Sequence, residues 1–304
     1  MRHGRFALPF ALAATLCGQA IKYSYDAAGR LSTVSYPNGK TATYFYDAGG
    51  SLISRQVITA GSGAPPSSSA AGVVNAASEA GGSVAPGEIV AIYGSGVGPA
   101  TLASFQISQA SFFQPFIAGT TVTFDGIPAP LVFASSGLVA AIVPYSVAGQ
   151  STTQMVVTCQ GQASSPVTLQ VAPSAPGLFS ANGSGTGNGA IVNQDGTINS
   201  PSNPAPRGSV ILLYGTGEGQ TTPAGVDGRI ALSVYPKPAL PVKVSLGGTD
   251  VTSNILYVGA APTLVAGVFQ MNLTIPANAP TGAVPVVVTV GTASSQSGLT
   301  VAVK

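Results

Sequence analysis

Beyond residue 73 the chain never sustains an apolar period of 3.6 residues. Short runs of Val, Ile, Leu and Thr are instead broken by Gly, Pro or Asn roughly every ten residues. With 39 Gly and 24 Pro among 304 residues, helix interiors are penalised almost everywhere, whereas tight turns are cheap. Such spacing is that of β-sandwiches. The expected class is all-β, a short β-meander followed by two tandem immunoglobulin-like β-sandwich domains.

The tandem comes from an internal echo. Pro86-Gly87-Glu88-Ile89-Val90-Ala91-Ile92-Tyr93-Gly94-Ser95-Gly96-Val97-Gly98 returns as Arg207-Gly208-Ser209-Val210-Ile211-Leu212-Leu213-Tyr214-Gly215-Thr216-Gly217-Glu218-Gly219. Val122-Thr123-Phe124-Asp125-Gly126 aligns with Val244-Ser245-Leu246-Gly247-Gly248, and Val143-Pro144 with Ile275-Pro276. The sandwiches are placed at 73–172 and 206–304, with 173–205 as a connecting segment that carries a hairpin. Gln270-Met271-Asn272 has no polar counterpart in the first copy, which reads Leu138-Val139-Ala140-Ala141 there.

A second repeat precedes them. Tyr23-Ser24-Tyr25-Asp26-Ala27-Ala28-Gly29-Arg30-Leu31 recurs 21 residues later as Tyr44-Phe45-Tyr46-Asp47-Ala48-Gly49-Gly50-Ser51-Leu52. Each copy is an aromatic strand entering an Asp/Gly turn, so 21–58 is expected to form a four-stranded meander. Residues 59–72 are small or turn-forming and read as a Gly/Pro/Ser-rich linker.

The Tyr-Asp, Gly and Leu of each copy resemble the YD repeat of the Rhs and teneurin families. In those families long arrays wind into shells, but two copies enclose nothing. The region from Val73 onward is similar to the Solibacter-type uncharacterised C-terminal domain of secreted acidobacterial proteins, related to IPT/TIG immunoglobulin-like modules. The residues that carry this likeness are Val74-Asn75-Ala76-Ala77-Ser78, Pro176-Gly177-Leu178-Phe179, Asn193 to Pro201, Tyr214-Gly215-Thr216-Gly217 and the tail from Gly267 to Val303. The resemblance implies a sandwich fold and an exterior location, and no reaction.

Residues 1–20 read as a signal peptide. Arg2, His3 and Arg5 precede the apolar run 6–17, and Gly18-Gln19-Ala20 offers a cleavage site. A membrane anchor needs about 20 apolar residues, and a lipoprotein signal at Cys17 would need a small residue where Leu16 stands. Cleavage removes two of the 11 Lys/Arg and leaves nine against nine Asp/Glu. No Lys or Arg lies between Val73 and Ala172, so neither nucleic acid nor an anionic membrane is an expected partner. The expected place is secreted or on the cell surface.

His3, the one histidine, leaves with the signal, which excludes Ser-His-Asp and Cys-His nucleophiles and His-based metal sites from the mature chain. Cys159 alone remains and cannot form an intramolecular disulfide. It alternates with Met155 and Val157 and reads as a buried strand residue. Of the nine carboxylates, Asp26, Asp47, Asp125, Asp195 and Asp227 precede a Gly closely and fit turns. Glu218, between two glycines, is the outlier, read as a solvated loop charge or, less conservatively, as half of a glycosidase pair.

Gly94-Ser95-Gly96 and Gly215-Thr216-Gly217 follow strands as phosphate loops do, but Pro99 and Pro223 stand where a helix would have to start. Asn193 to Asn199 alternates oxygen ligands as a calcium loop does, yet lacks the later Glu and reads better as a hairpin. Asn182-Gly183-Ser184 and Asn272-Leu273-Thr274 match the glycosylation triplet without informing function. No cofactor or metal is expected.

Without Trp, sugar stacking would fall to tyrosines. Tyr23, Tyr25, Tyr44 and Tyr46 are therefore the candidate ligand-binding residues, beside Glu218. Cross-strand packing of those rings is the alternative. Three function classes stand: a structural or adhesive surface module without catalysis, a module binding an extracellular glycan or protein, and a carboxylate-dependent glycoside hydrolase.

Overall fold

The computed structural model describes residues 21–26, 28–46, 50–59 and 63–304. The segment 1–20 expected to be a signal peptide, Ala27, Asp47 with its two following residues, and residues 60–62 of the expected linker lie outside them. The chain divides into two compact units, Met1–Ala60 and Gly61–Lys304. Among the described residues it is all-β, as expected, with only two single 3-10 turns at Tyr145–Val147 and Thr252–Asn254. Among the described residues no helix is long and apolar enough to cross a membrane.

The first unit is an antiparallel meander of β1 (Lys22–Tyr25), β2 (Leu31–Ser35), β3 (Lys40–Tyr46) and β4 (Leu52–Thr59) in sequential order. Its repeat motif has a local cause. Asp26 Oδ1 accepts the backbone N–H groups of Ala28 and Arg30 at 3.0 and 2.9 Å, and Oδ2 takes Arg30 Nε at 2.7 Å. Gly29 supplies the left-handed residue that closes the turn. Only Val34, Ala42 and Phe45 are buried in this unit among the residues described.

In the second unit the first sandwich comprises β5 (Ser67–Asn75), β6 (Ile89–Ser95), β7 (Ala103–Ser104), β8 (Thr120–Phe124), β9 (Ile127–Pro128), β10 (Leu131–Ala134), β11 (Leu138–Ile142), β12 (Thr152–Cys159), β13 (Gln162–Ala163) and β14 (Val167–Gln170). One sheet runs β5-β6-β11-β10-β7, the other β13-β12-β8-β9 with β14 on β12. Alternation puts Met155, Val157 and Phe124 of one sheet against Val90, Ile92 and Val139 of the other in a single core. Cys159 ends β12 as a free, buried thiol, 3.8 Å from Thr120 Oγ1. This sandwich carries no lysine or arginine.

The second sandwich contains β15 (Gly177–Leu178), β16 (Gly187–Asn188), β17 (Val192–Asn193), β18 (Val210–Thr216), β19 (Thr221–Thr222), β20 (Lys237–Pro238), β21 (Val242–Leu246), β22 (Thr249–Asp250), β23 (Ile255–Ala260), β24 (Phe269–Thr274), β25 (Gly282–Val290), β26 (Ala293–Ser294) and β27 (Leu299–Val303). The echo in sequence is an echo in register. Val90 faces Ala141 across β6–β11 as Ile211 faces Leu273 across β18–β24, and Phe124 faces Met155 as Leu246 faces Val286. The polar departure in β24 is internally satisfied, with Gln270 Nε2 donating to Asn272 Oδ1 at 2.7 Å.

Two segment boundaries differ from the sequence expectation. Residues 67–72, of linker composition, form the outer half of β5, where Ser67 pairs with Ser95 and Ser68 with Gly94 before a register shift to Val73 and Ile92. Ladder bonds at a sheet edge use backbone groups, so small exposed side chains suffice there. Thr59 likewise belongs to β4. Residues 173–205 do not merely connect. β15 and β17 add to β18, β16 runs parallel to β27, and Leu178, Ile191 and Ala205 enter the second core. The hairpin at Asn193–Thr197 is present, with Asn193 N–H bonded to Thr197 O at 2.8 Å. Its polar side chains are engaged within it: Asp195 Oδ1 accepts from Thr197 Oγ1, and Asn199 Nδ2 donates to Asn193 Oδ1.

Because Phe124 and Leu246 fill equivalent places at 0% and 1% exposure, truncating either to Ala is expected to cost about 3–5 kcal/mol for Phe and about 2–5 kcal/mol for Leu. Urea unfolding measures this, and a loss below about 1 kcal/mol at either position would contradict the core described.

Candidate functional site

The two sandwiches meet where β6 begins and β18 ends. Asn75, closing β5, organises the first side. Its Oδ1 accepts the N–H groups of Ala77 and Ser78 at 2.9 and 3.0 Å, while Nδ2 donates to Glu88 Oε1 at 2.8 Å and across the joint to Ala175 O at 2.9 Å. Glu88 Oε2 accepts Ala85 N–H at 2.6 Å. Three further bonds that use a side chain cross: Ile89 N–H to Thr216 Oγ1, Tyr145 N–H to Asp227 Oδ1, and Gln220 Nε2 to Tyr145 O, each at 2.8 Å. An apolar cluster of Ile89, Ile142 and Val265 lies beside them.

Glu218 sits at this joint. The sequence reading placed it in solvent, but it is 2% exposed. The local chain dictates this: Gly217 is left-handed, and a Cβ there would strike the carbonyl of Ala175, so the strand end is pressed against the 173–175 segment and carries the next side chain inward. Glu218 Oε2 is buried without a hydrogen-bond partner. Burial pushes its carboxyl up to about 8. Glu88 is likewise raised to about 8 by burial, opposed by the Ala85 and Asn75 hydrogen bonds and reinforced by the charge of Glu218. Tyr145 is pushed well above its ordinary range by burial and then by the charges of Glu218 and Asp227. Its phenol end lies where Cβ atoms on Gly87 and Gly225 would be.

Asp227 also departs from expectation. It is not a turn cap on its own backbone but reaches Tyr145, 82 residues away, and partial burial raises its pKa. Asp26, Asp195 and Asp250 do serve their own turns, whereas Asp125 does not cap its own backbone but accepts from Thr153 Oγ1 and Gln154 N–H on the neighbouring β12.

A cavity of about 70 Å³ opens off the joint, with Glu218, Tyr145, Thr221, Val226, Arg229 and Val234 in its walls. Small-molecule sites usually occupy roughly 300–1,000 Å³, so a sugar chain does not fit. A larger groove, about 430 Å³, lies along the same joint and is almost wholly apolar, with Phe105, Phe113, Phe179, Leu264 and Val265 in its walls. Phe105 and Phe113 stack there with centroids 4.3 Å apart. Among the described residues no group of three His, Cys, Asp or Glu side chains could hold a metal. No helix follows either Gly94-Ser95-Gly96 or Gly215-Thr216-Gly217.

The tyrosine candidates separate into two kinds. Tyr23 and Tyr25 on β1 are 57% and 62% exposed. Tyr44 and Tyr46 on β3 are half-buried, with Arg55 5.7 Å from the Tyr44 ring centre, Arg30 4.7 Å from that of Tyr46, and the Tyr46 hydroxyl donating to Leu31 O. Glu88 and Asn75 were missed as site residues in the sequence, although a signal existed. Glu218 aligns with Val97, which is fully buried in the first core, so an acid occupies a position that its own repeat marks as interior.

Residues 14–41 and 25–63 each match the family model for the RHS Repeat. The N-terminal unit carries RHS repeats. That match leaves the second unit uncovered. No curated protein matches the chain. Among solved structures, an endo-fucoidan hydrolase from glycoside hydrolase family 107 is similar at 13% identity with a TM-score of 0.18, over 99% of this chain and 38% of that one. The chain thus spans little more than a third of that enzyme's length, at a similarity too low to transfer fold or activity.

The raised carboxyls give stability a pH slope. An acid with a native pKa near 8 and an ordinary value of 4.5 holds its proton when folded and loses it when unfolded, so the native state is penalised progressively as pH rises from about 4.5 to about 8. The unfolding free energy obtained from urea titrations is expected to fall across that window, by up to about 1.4 kcal/mol per pH unit per group, and to level off above it. Asp26, Asp195 and Asp250, all lowered, act oppositely below about pH 4. Glu218→Gln should flatten the upper window by about half; a slope unchanged by that substitution would contradict the arrangement.

Proposed function

We propose that the chain is an exported, non-catalytic structural or adhesive module of the bacterial exterior, in which an RHS-repeat meander precedes a sandwich pair of the Solibacter-type, IPT/TIG-related kind. The observation that carries this is the use of its acids. Glu88 is 1% exposed and both its oxygens accept protein donors, and Glu218 faces a cavity too small for a polysaccharide. Hydrolysis of a glycosidic bond needs two carboxyl groups facing substrate across an open cleft. Export is supported by the n-region, apolar run and small residues of 1–20 and by the RHS-repeat match.

A second reading, an extracellular glycan- or protein-binding module, is favoured by Tyr23 and Tyr25. Both lie on the edge strand β1 with their rings largely exposed to solvent.

Expression of the full chain in a bacterial host, with intact-mass analysis of the exported product, is expected to give a mature chain starting at Ile21. That product should release no reducing ends from a polysaccharide panel. Release that disappears in Glu218→Gln would overturn the non-catalytic reading. Affinity electrophoresis of Tyr23→Ala/Tyr25→Ala in glycan-loaded gels separates the other two: a drop in retention of about fivefold or more, the size of an interface hot spot, selects glycan binding, and unchanged mobility selects the structural module.

A further inference from the structure

We propose that the Glu218 cavity is a binding site for a primary alkylammonium group, carried by a free amine or by a lysine side chain of a partner. Three independent observations converge on it. The first is an acceptor with nothing to accept: Glu218 Oε2 is buried and unpartnered at the cavity wall, and a lost hydrogen bond at a buried carboxyl is costly enough that native proteins rarely leave one open.

The second is the lack of a fixed counter-charge. Glu218 lies close enough to Glu88 and Tyr145, and Asp227 to Tyr145, to raise those groups, and among the described residues none of the three acids has an ion-pair partner, the one salt bridge being Asp26–Arg30. Arg229 is the single cation in the cavity wall. Its residue is exposed whereas Glu218 is not, so its charge is screened by solvent at the mouth.

The third is shape. The rim residues Pro223, Ala224 and Val234 are exposed, the acid lies at the buried end, and the walls between are Val226, Ala231 and Pro236. A cavity of about 70 Å³ with largely apolar walls and one buried carboxyl matches a short methylene chain ending in –NH₃⁺, which snorkels its charge toward that carboxyl. A hydroxylated sugar would leave its oxygens unpaired along those walls.

Binding an ammonium group requires the carboxylate form. Glu218 releases its proton to solvent as the amine enters, so affinity rises by close to tenfold per pH unit up to about 8. Glu88, Tyr145, Asp227 and Arg229 are the titratable groups facing it.

The test is a ¹H–¹⁵N NMR titration of the mature chain with n-butylammonium chloride, N-acetyl-lysine methylamide, and n-butanol as the uncharged control. Saturable shifts of the Gly217, Glu218, Gly219 and Thr221 amides are expected with either amine. The affinity should be stronger at pH 8 than at pH 6 and at least tenfold weaker in Glu218→Gln. Saturation by the lysine derivative and butylammonium alike identifies a site open to free amines; saturation by the lysine derivative alone identifies a partner's side chain as the source. Ala224→Trp, on the exposed rim, should block the cavity without touching the acid, which keeps the test decisive if Glu218→Gln unfolds. Absence of saturation by either amine, equal binding of butanol, or affinity indifferent to both substitutions would overturn the proposal.

Discussion

The second unit depends on hydrogen bonds that cross between two sandwiches at the few places where their strands end. Asn75 shows how economical this is. One side chain closes its own turn through Oδ1 and, through Nδ2, holds Glu88 and reaches Ala175 on the neighbouring sandwich. A carboxyl group buried in a protein is unfavourable unless its proton or its partners remain, so Glu88 is tolerable because Asn75 and Ala85 are in place. Those bonds fix where β6 starts, and the start of β6 fixes Ile89 against Thr216. The joint is therefore polar at its centre and apolar at its flank, where Ile89, Ile142 and Val265 pack.

The architecture was legible in the sequence wherever side chains alternate. Met155, Val157 and Cys159 announce β12 and are buried; the echo around Tyr93 and Tyr214 announces two related sandwiches, and their strands pair in the same register. It was illegible where backbone rather than side chains makes the structure. Ser67 and Ser68 enter β5 through ladder pairing with Ser95 and Gly94 before the chain shifts register at 69–72, and Gly177, Gly187 and Asn188 enter strands as pairs too short to have a period. The joint was harder still, because residues 75, 88, 145, 218 and 227 are distant in sequence and no local pattern connects them. Asp227 looked like a turn residue because it precedes Gly228, and the turn exists, but its carboxylate is spent on the other sandwich.

Duplication shows that each copy brings its acid to the joint from a position that is not acidic in the other. In the first sandwich the residue after the left-handed glycine is Val97, which fills its own core. In the second, the same geometry delivers Glu218 to the meeting surface, while the partner position to Glu88 is Ser209. The copies thus diverged at equivalent sites on either side of the joint, which is what two like domains require if they are to meet in one orientation rather than interchangeably.

The absence of basic residues from the first sandwich has a consequence outside folding. Between Arg55 and Arg207 the chain offers no lysine or arginine, so proteases that cleave after basic side chains find no scissile bond from the end of the meander to the threshold of β18, even when edge strands such as β5 open transiently. Exposure to host or environmental enzymes of that class would trim the ends of the molecule and leave a large intact middle.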